Sequence, residues 1–179
     1  MTLAERLLAL SAALSRAGIP HAFGGAIALA YALDEPRATR DLDLNIFLGT
    51  GAAPEVLAAI GGLVPHTDRE LADLRRDDQV RLWWDQTPID LFFAAADFHF
   101  AVAGRCRTVP FSDAEIRVLA PEDLATFKVL FDRTKDWLDL QMMWESGTLD
   151  VPVVGRQVHG LVGDDPRIGR LQQIGSSAD

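Results

Sequence analysis

Apolar positions divide the chain into a mixed first part and a helical second part. Leu3, Leu7, Leu10 and Leu14 recur at helical spacing, and Thr2 with Glu5 forms a capping box at the head of that stripe. Gly18 and Pro20 stop the helix. A short strand over 21–24 then runs into Gly24-Gly25, and an Ala-rich helix is expected over 26–33. Residues 34–40 are polar and contain Pro36, so they read as a loop. Beta-forming residues follow over 42–48, with acids at positions 41 and 43 at the head of the run. A helix over 54–60 takes Pro54 in its first turn, and the charged stretch 67–78 reads as a short helix or a mobile loop. Residues 79–84 and 89–93 read as an antiparallel hairpin turning at Asp85-Gln86-Thr87-Pro88, with further short strands over 107–111 and 117–119.

From Pro121 the periodicity becomes helical. Pro121-Glu122-Asp123 opens a helix with proline and acids in its first turn. The apolar stripe passes through Phe127, Leu130 and Phe131, resumes at Trp137, Leu140 and Met143, and stops at Gly147. Residues 151–162 form another helical candidate, against the propensity of their valines. From Ile174 the residues are small and polar and read as a frayed tail.

Composition narrows the class. At 179 residues and 49% hydrophobic content, the chain fits one compact domain that needs no disulfide or structural metal. The first helix carries Glu5 early and Arg16 late, the reverse of a secretory leader, so it reads as part of the mature fold. No apolar stretch approaches the roughly 20 residues of a membrane span, so no membrane partner is expected. A single cysteine, Cys106, precludes an intrachain disulfide and a thiolate zinc site, which suits a reducing cytoplasm. A formal charge of −9 argues against an extended nucleic-acid surface, though not against a local basic pocket for a nucleotide.

Three features carry chemistry. Gly24-Gly25 stands where a strand meets a helix, and glycine there lets backbone N–H groups approach a phosphate. Asp41-Leu42-Asp43 places two carboxylates on one face of a strand; like charges so close are costly unless a cation joins them or one is protonated. Asp90 interrupts the apolar strand Ile89–Phe93, and a carboxylate there needs a partner. That partner is either a cation such as Arg81 on the facing strand, or a metal shared with the first two acids.

The order of these features resembles the nucleotidyltransferase superfamily that includes DNA polymerase β. The stretch Phe23-Gly24-Gly25-Ala26 through Arg37, Thr39, Arg40, Asp41, Leu42, Asp43 and Leu44 is similar to that family's first motif. More narrowly it resembles the bacterial abortive-infection and toxin–antitoxin nucleotidyltransferases, and small antibiotic-modifying members. Pro121-Glu122-Asp123-Leu124, Lys128, Arg133, Lys135, Asp136 and Asp139 extend the likeness over roughly 20–145. One departure is Ala26, where many members carry a phosphate-binding Ser or Thr.

The resemblance implies an α+β fold: a small mixed β-sheet nucleotidyltransferase core flanked by helices, with a helical C-terminal part. The expected organisation is a single domain, with a mixed α/β catalytic core over 1–119, a helical part over 120–173 and a frayed tail over 174–179. It implies a cytoplasmic enzyme that moves an NMP from an NTP, such as ATP, to an acceptor hydroxyl and releases pyrophosphate. Asp41, Asp43 and Asp90 would be catalytic and would bind Mg²⁺ or Mn²⁺. Gly24, Gly25, Arg40, Lys128 and Arg133 would bind the nucleotide. The acceptor is RNA or tRNA, a protein or a small molecule, and a toxin–antitoxin component would have a cognate antitoxin or toxin as partner. The alternatives are a non-catalytic nucleotide-binding or partner-binding module on the same fold, which Ala26 keeps open, and an antibiotic-modifying transferase. For Lys128 the structural alternative is an ion pair with Asp132. Trp83, Trp84, Phe92 and Phe93 are read as core aromatics or as a stacking surface for a base, and the four histidines show no metal-ligand spacing.

Overall fold

A computed structural model describes residues 1–176. Helix α1 (Leu3–Arg16) opens on the expected Thr2–Glu5 capping box and buries Leu7, Leu10, Ala13 and Leu14. Strand β1 (His21–Phe23) leads directly into α2 (Gly25–Leu33). Strand β2 (Leu42–Ile46) is followed by a 3₁₀ turn at Thr50–Ala52 and by α3 (Ala53–Ile60). The charged stretch that read as helix or loop is helix α4 (Asp68–Asp77), held by a second capping box, Thr67 with Glu70. The hairpin is β3 (Gln79–Trp84) and β4 (Thr87–Phe93), with Asp85 at the turn in the left-handed conformation that aspartate tolerates. Helix α5 (Asp97–Ala103), which the apolar pattern did not announce, precedes β5 (Arg107–Phe111) and β6 (Ala114–Val118).

The strands form one six-stranded mixed sheet in the order β3-β4-β2-β1-β6-β5. Strand β1 is antiparallel to β2 and parallel to β6, and β2 runs parallel to β4. His21, Ala22 and Phe23 of β1 are all buried, as expected of a strand near the middle of a sheet. In β4 burial alternates: Thr87, Ile89, Leu91 and Phe93 point to the core, while Pro88, Asp90 and Phe92 line the other face. This alternation, not the bulk hydrophobicity of the segment, decides where Asp90 points.

Two compact units result. One holds Met1–Ile27 and Ala38–Leu119 and contains the sheet; the other holds Ala28–Arg37 and the chain from Ala120 onward. In the second unit α6 (Pro121–Phe131) packs against α7 (Thr134–Glu145), α8 (Val151–Val162) and α9 (Pro166–Ser176). The valines of α8 do not prevent a helix, because Val151, Val154 and Val158 form a buried stripe whose packing outweighs their propensity. The expected tail begins too early at residue 174: α9 runs through Ser176, and Ile174 is buried. Its apolar side chain completes a face with Leu171, which stabilises the last turn; residues 177–179 lie outside the described residues.

Candidate active site

The turn from β1 into α2 is built around Asp43. Gly24 donates its backbone N–H to the Asp43 carbonyl at 2.9 Å. Gly25 follows with φ +49°, a conformation that side chains disfavour. A Cβ at Gly25 would lie 1.8 Å from Asp43 Oδ2, so the carboxylate fills the space a side chain would need. A Cβ at Gly24 would lie 2.7 Å from the Asn45 side-chain nitrogen. The pair of glycines thus lets the head of α2 lie against an acid. The first-turn N–H groups of α2 have no partner four residues back in the helix, which is the usual basis of an anion seat.

The parallel register pairs Asp43 of β2 with Asp90 of β4. Paired residues on adjacent strands share a face, with strands about 4.8 Å apart. Asp41 precedes β2 by one residue, and its Oδ1 accepts the Thr39 hydroxyl at 2.6 Å. Thr39 Oγ1 also lies 3.1 Å from the Asp41 carbonyl oxygen, so this threonine fixes the acid's backbone and side chain together. Asp90 is gripped from the other side. Arg81, its partner on β3, donates Nε to Oδ1 at 2.7 Å and Nη2 to Oδ2 at 2.6 Å. The hydrogen bonds to Asp90 raise the Arg81 pKa above its ordinary value, and the fields of Asp90, Asp41 and Asp43 add to this against some desolvation. Of the two readings of Asp90, the pairing with Arg81 is the one formed, and strand register sets the same residue opposite Asp43.

These residues suit a divalent cation by donor chemistry. Carboxylate oxygens are the hard ligands that Mg²⁺ takes, and the Asp43 carboxylate is held in a cradle open only because Gly25 lacks a side chain. Among the described residues no three Asp, Glu, His or Cys side chains form a group ready to hold a metal. The Arg81 guanidinium binds Asp90 and feels the charges of Asp41 and Asp43. Arg40, one residue before Asp41, is exposed.

Lys128 and Arg133, also expected at the nucleotide, fall in the second unit and belong to a charge network there. Lys128 Nζ lies 2.6 Å from Asp139 Oδ2 and 3.4 Å from Asp136 Oδ1. Arg133 Nε reaches Asp136 Oδ2 at 2.6 Å, and Arg37 Nη2 reaches Asp139 Oδ1 at 3.0 Å. The alternative partner for Lys128, Asp132, instead accepts from Trp137 Nε1 and Arg170. Asp136 is fully buried, which by itself would push its pKa up. The Arg133 hydrogen bond and the Lys128 charge outweigh that burial and hold it below the ordinary carboxylate value.

Of the aromatics, Trp84 and Phe93 are core, whereas Trp83 is 51% exposed on the Arg81 side of β3. His21 opens β1 and is buried, with Nδ1 2.9 Å from the Ile19 carbonyl and Nε2 3.2 Å from Ser11 Oγ. Sequence reading overlooked two supports of the site, Thr39 under Asp41 and Asn45 under Gly24. Thr39 had a local signal, since a threonine two residues before an acid can fold back on the backbone. Asn45 was visible only as the polar break in an apolar strand.

No protein-family model and no curated protein sequence matches the chain. Solved structures do. The antibiotic-resistance factor ANT(2'')-Ia in solution superposes with a TM-score of 0.64 at 18% identity, covering 97% of this chain and 96% of that one. The lincosamide antibiotic adenylyltransferase LnuA, lincomycin-bound, matches with a TM-score of 0.54 at 11% identity, over 78% of this chain and 94% of that one. A nucleotidyltransferase-like protein from Paracoccidioides brasiliensis matches at 0.52 and 13% identity, over 94% and 92%. At such identities the likeness is one of fold: the chain has the nucleotidyltransferase fold.

Proposed function

We propose that this protein transfers a nucleoside monophosphate from a nucleoside triphosphate to an acceptor hydroxyl. The observation that carries the reading is the parallel register of Asp43 with Asp90, beside the glycine turn that opens α2. In this reading Asp41, Asp43 and Asp90 hold a divalent cation, which would neutralise phosphate charge and orient the triphosphate for in-line attack. Gly24 and Gly25 bring the α2 N–H groups to the phosphates, and these amides stand in for the hydroxyl that Ala26 lacks. Asp90 accepts the acceptor's proton as the new P–O bond forms at the α-phosphorus and the bond to pyrophosphate breaks. Arg40 is a further phosphate contact. Lys128 and Arg133 take the phosphate role only by resemblance; within their unit both are already engaged by Asp136.

A small hydroxylated molecule is the favoured acceptor. ANT(2'')-Ia, described also in complex with adenylyl-2''-tobramycin, covers nearly the same length as this chain, with 97% and 98% coverage. Incubation with each NTP, Mg²⁺ and a panel of aminoglycoside, lincosamide, tRNA and protein acceptors tests the reading. Pyrophosphate release should accompany an acceptor heavier by one nucleotide. Asp43→Asn should fold normally and fall to the background rate. Transfer by that variant at the wild-type rate would sink the assignment.

A further inference from the structure

Asp90 is bound through both of its oxygens. Arg81 donates Nε to one and Nη2 to the other, the two-pronged geometry in which guanidinium and carboxylate bind most strongly. The partners are unequally free to move. The Asp90 side chain is 15% exposed and belongs to a strand flanked on both sides, whereas the Arg81 side chain is 52% exposed and belongs to β3, which ends the sheet. Strand register fixes both residues, because Arg81 pairs with Asp90 and Asp90 pairs with Asp43. One fixed carboxylate thus lies between an acid on one side and a cation that can swing into solvent on the other.

We infer that Arg81 and a divalent cation compete for Asp90: the arginine holds the carboxylate on the site face and releases it when the metal binds beside Asp43. The inference rests on the nucleotidyl-transfer reading above, which supplies the metal. A hard cation needs a carboxylate oxygen, and here each oxygen already accepts a charged N–H, so metal and guanidinium together would set two positive charges against one carboxylate, which favours exchange over sharing. The neighbouring acids favour the exchange, since they offer a compact divalent charge more than one guanidinium can neutralise. Arg81 is therefore a positioning residue that sets how readily the site takes its metal.

Mn²⁺ and Mg²⁺ binding by calorimetry, on the full chain without nucleotide, tests this in wild type, Arg81→Lys, Arg81→Ala and Asp90→Asn, each checked for folding by circular dichroism. Lysine keeps the charge but loses the two-pronged grip. Competition predicts tighter metal binding in both Arg81 variants, by about fivefold in Arg81→Ala, the scale of a half-exposed ion pair. In the wild type, the ¹⁵N-detected Nε–H signal of Arg81 should leave its hydrogen-bonded position as metal is added. In the Asp90→Asn background, replacing Arg81 should change metal affinity by less than in the wild type. Arg81→Lys binding metal as the wild type does, with Arg81→Ala tighter, would show a charge effect alone and overturn the exchange. Weaker binding in both variants would mean that Arg81 and the metal share Asp90, which also overturns it. Metal binding in no variant would remove the metal reading of the site itself, a failure distinct from the other two.

Discussion

Gly25 and Asp43 occupy one another's space. Gly25→Ala would put a carbon 1.8 Å from Asp43 Oδ2, at a backbone φ of +49°. Because the Asp43 Cβ is also only 3.1 Å from that point, turning the carboxylate aside relieves only part of the clash. The expected result is a loss of about 1–3 kcal/mol in stability by denaturant titration. Metal affinity should fall with it, which calorimetry reads separately. At this scale much was legible from the chain alone: the glycine pair and three acids stand out by type and spacing. What could not be read was the company each acid keeps. Nothing in the order of residues says that Thr39 turns back onto Asp41, or that Asp90 satisfies Arg81 and faces Asp43 at once. Those facts come from register, which local sequence does not specify.

Helices α6 and α7 are joined by charge as well as by apolar contact. Lys128 is 6% exposed and Asp136 fully buried, so removing the cation strands a carboxylate that only Arg133 still satisfies. Lys128→Met should cost about 2–3 kcal/mol, and adding Asp136→Asn should recover part of it, as a double-mutant cycle in urea would show. Recovery of nothing would mean that the pair contributes no coupling. Elements with strong periodicity or caps were readable: α1 falls where apolar spacing puts it, and so does the β3–β4 hairpin, except that β4 begins at Thr87, so Thr87 and Pro88 belong to the strand and not to the turn. The seven residues of α5 are too few to show a period. In α9, Gly169 and Gly175 interrupt the pattern while Leu171 and Ile174 are buried, so tertiary packing forms a helix that propensity disfavours. The same override explains α8.

Across the whole molecule, two buried titratable groups set an acid limit to stability. Burial is the main cause lowering the His21 pKa beneath its ordinary 6.5, despite a favourable bond to Ile19. The unfolded chain therefore takes up this proton first, and the contribution of neutral His21 is lost as pH falls below about 6.5. Asp136 acts lower. Its folded pKa lies under the ordinary 3.8, so its contribution is whole above that value and disappears as pH falls through the folded one. The melting temperature should therefore decline in two stages on acidification, and His21→Gln should shrink the first, to which His99, also lowered by burial, adds its own part. A single decline below pH 4, unchanged by that substitution, would contradict the account of His21.

The cradle at Gly25 has a consequence for descent. A side chain at position 25 and a carboxylate at position 43 exclude each other, so the two cannot drift independently. Loss of the acid at position 43 removes the steric clash, but position 25 keeps its φ of +49°, so a side chain there still meets backbone strain. A chain of this fold with a bulky residue at the first position should therefore lack the carboxylate at the second, whereas a glycine without the acid meets no steric bar.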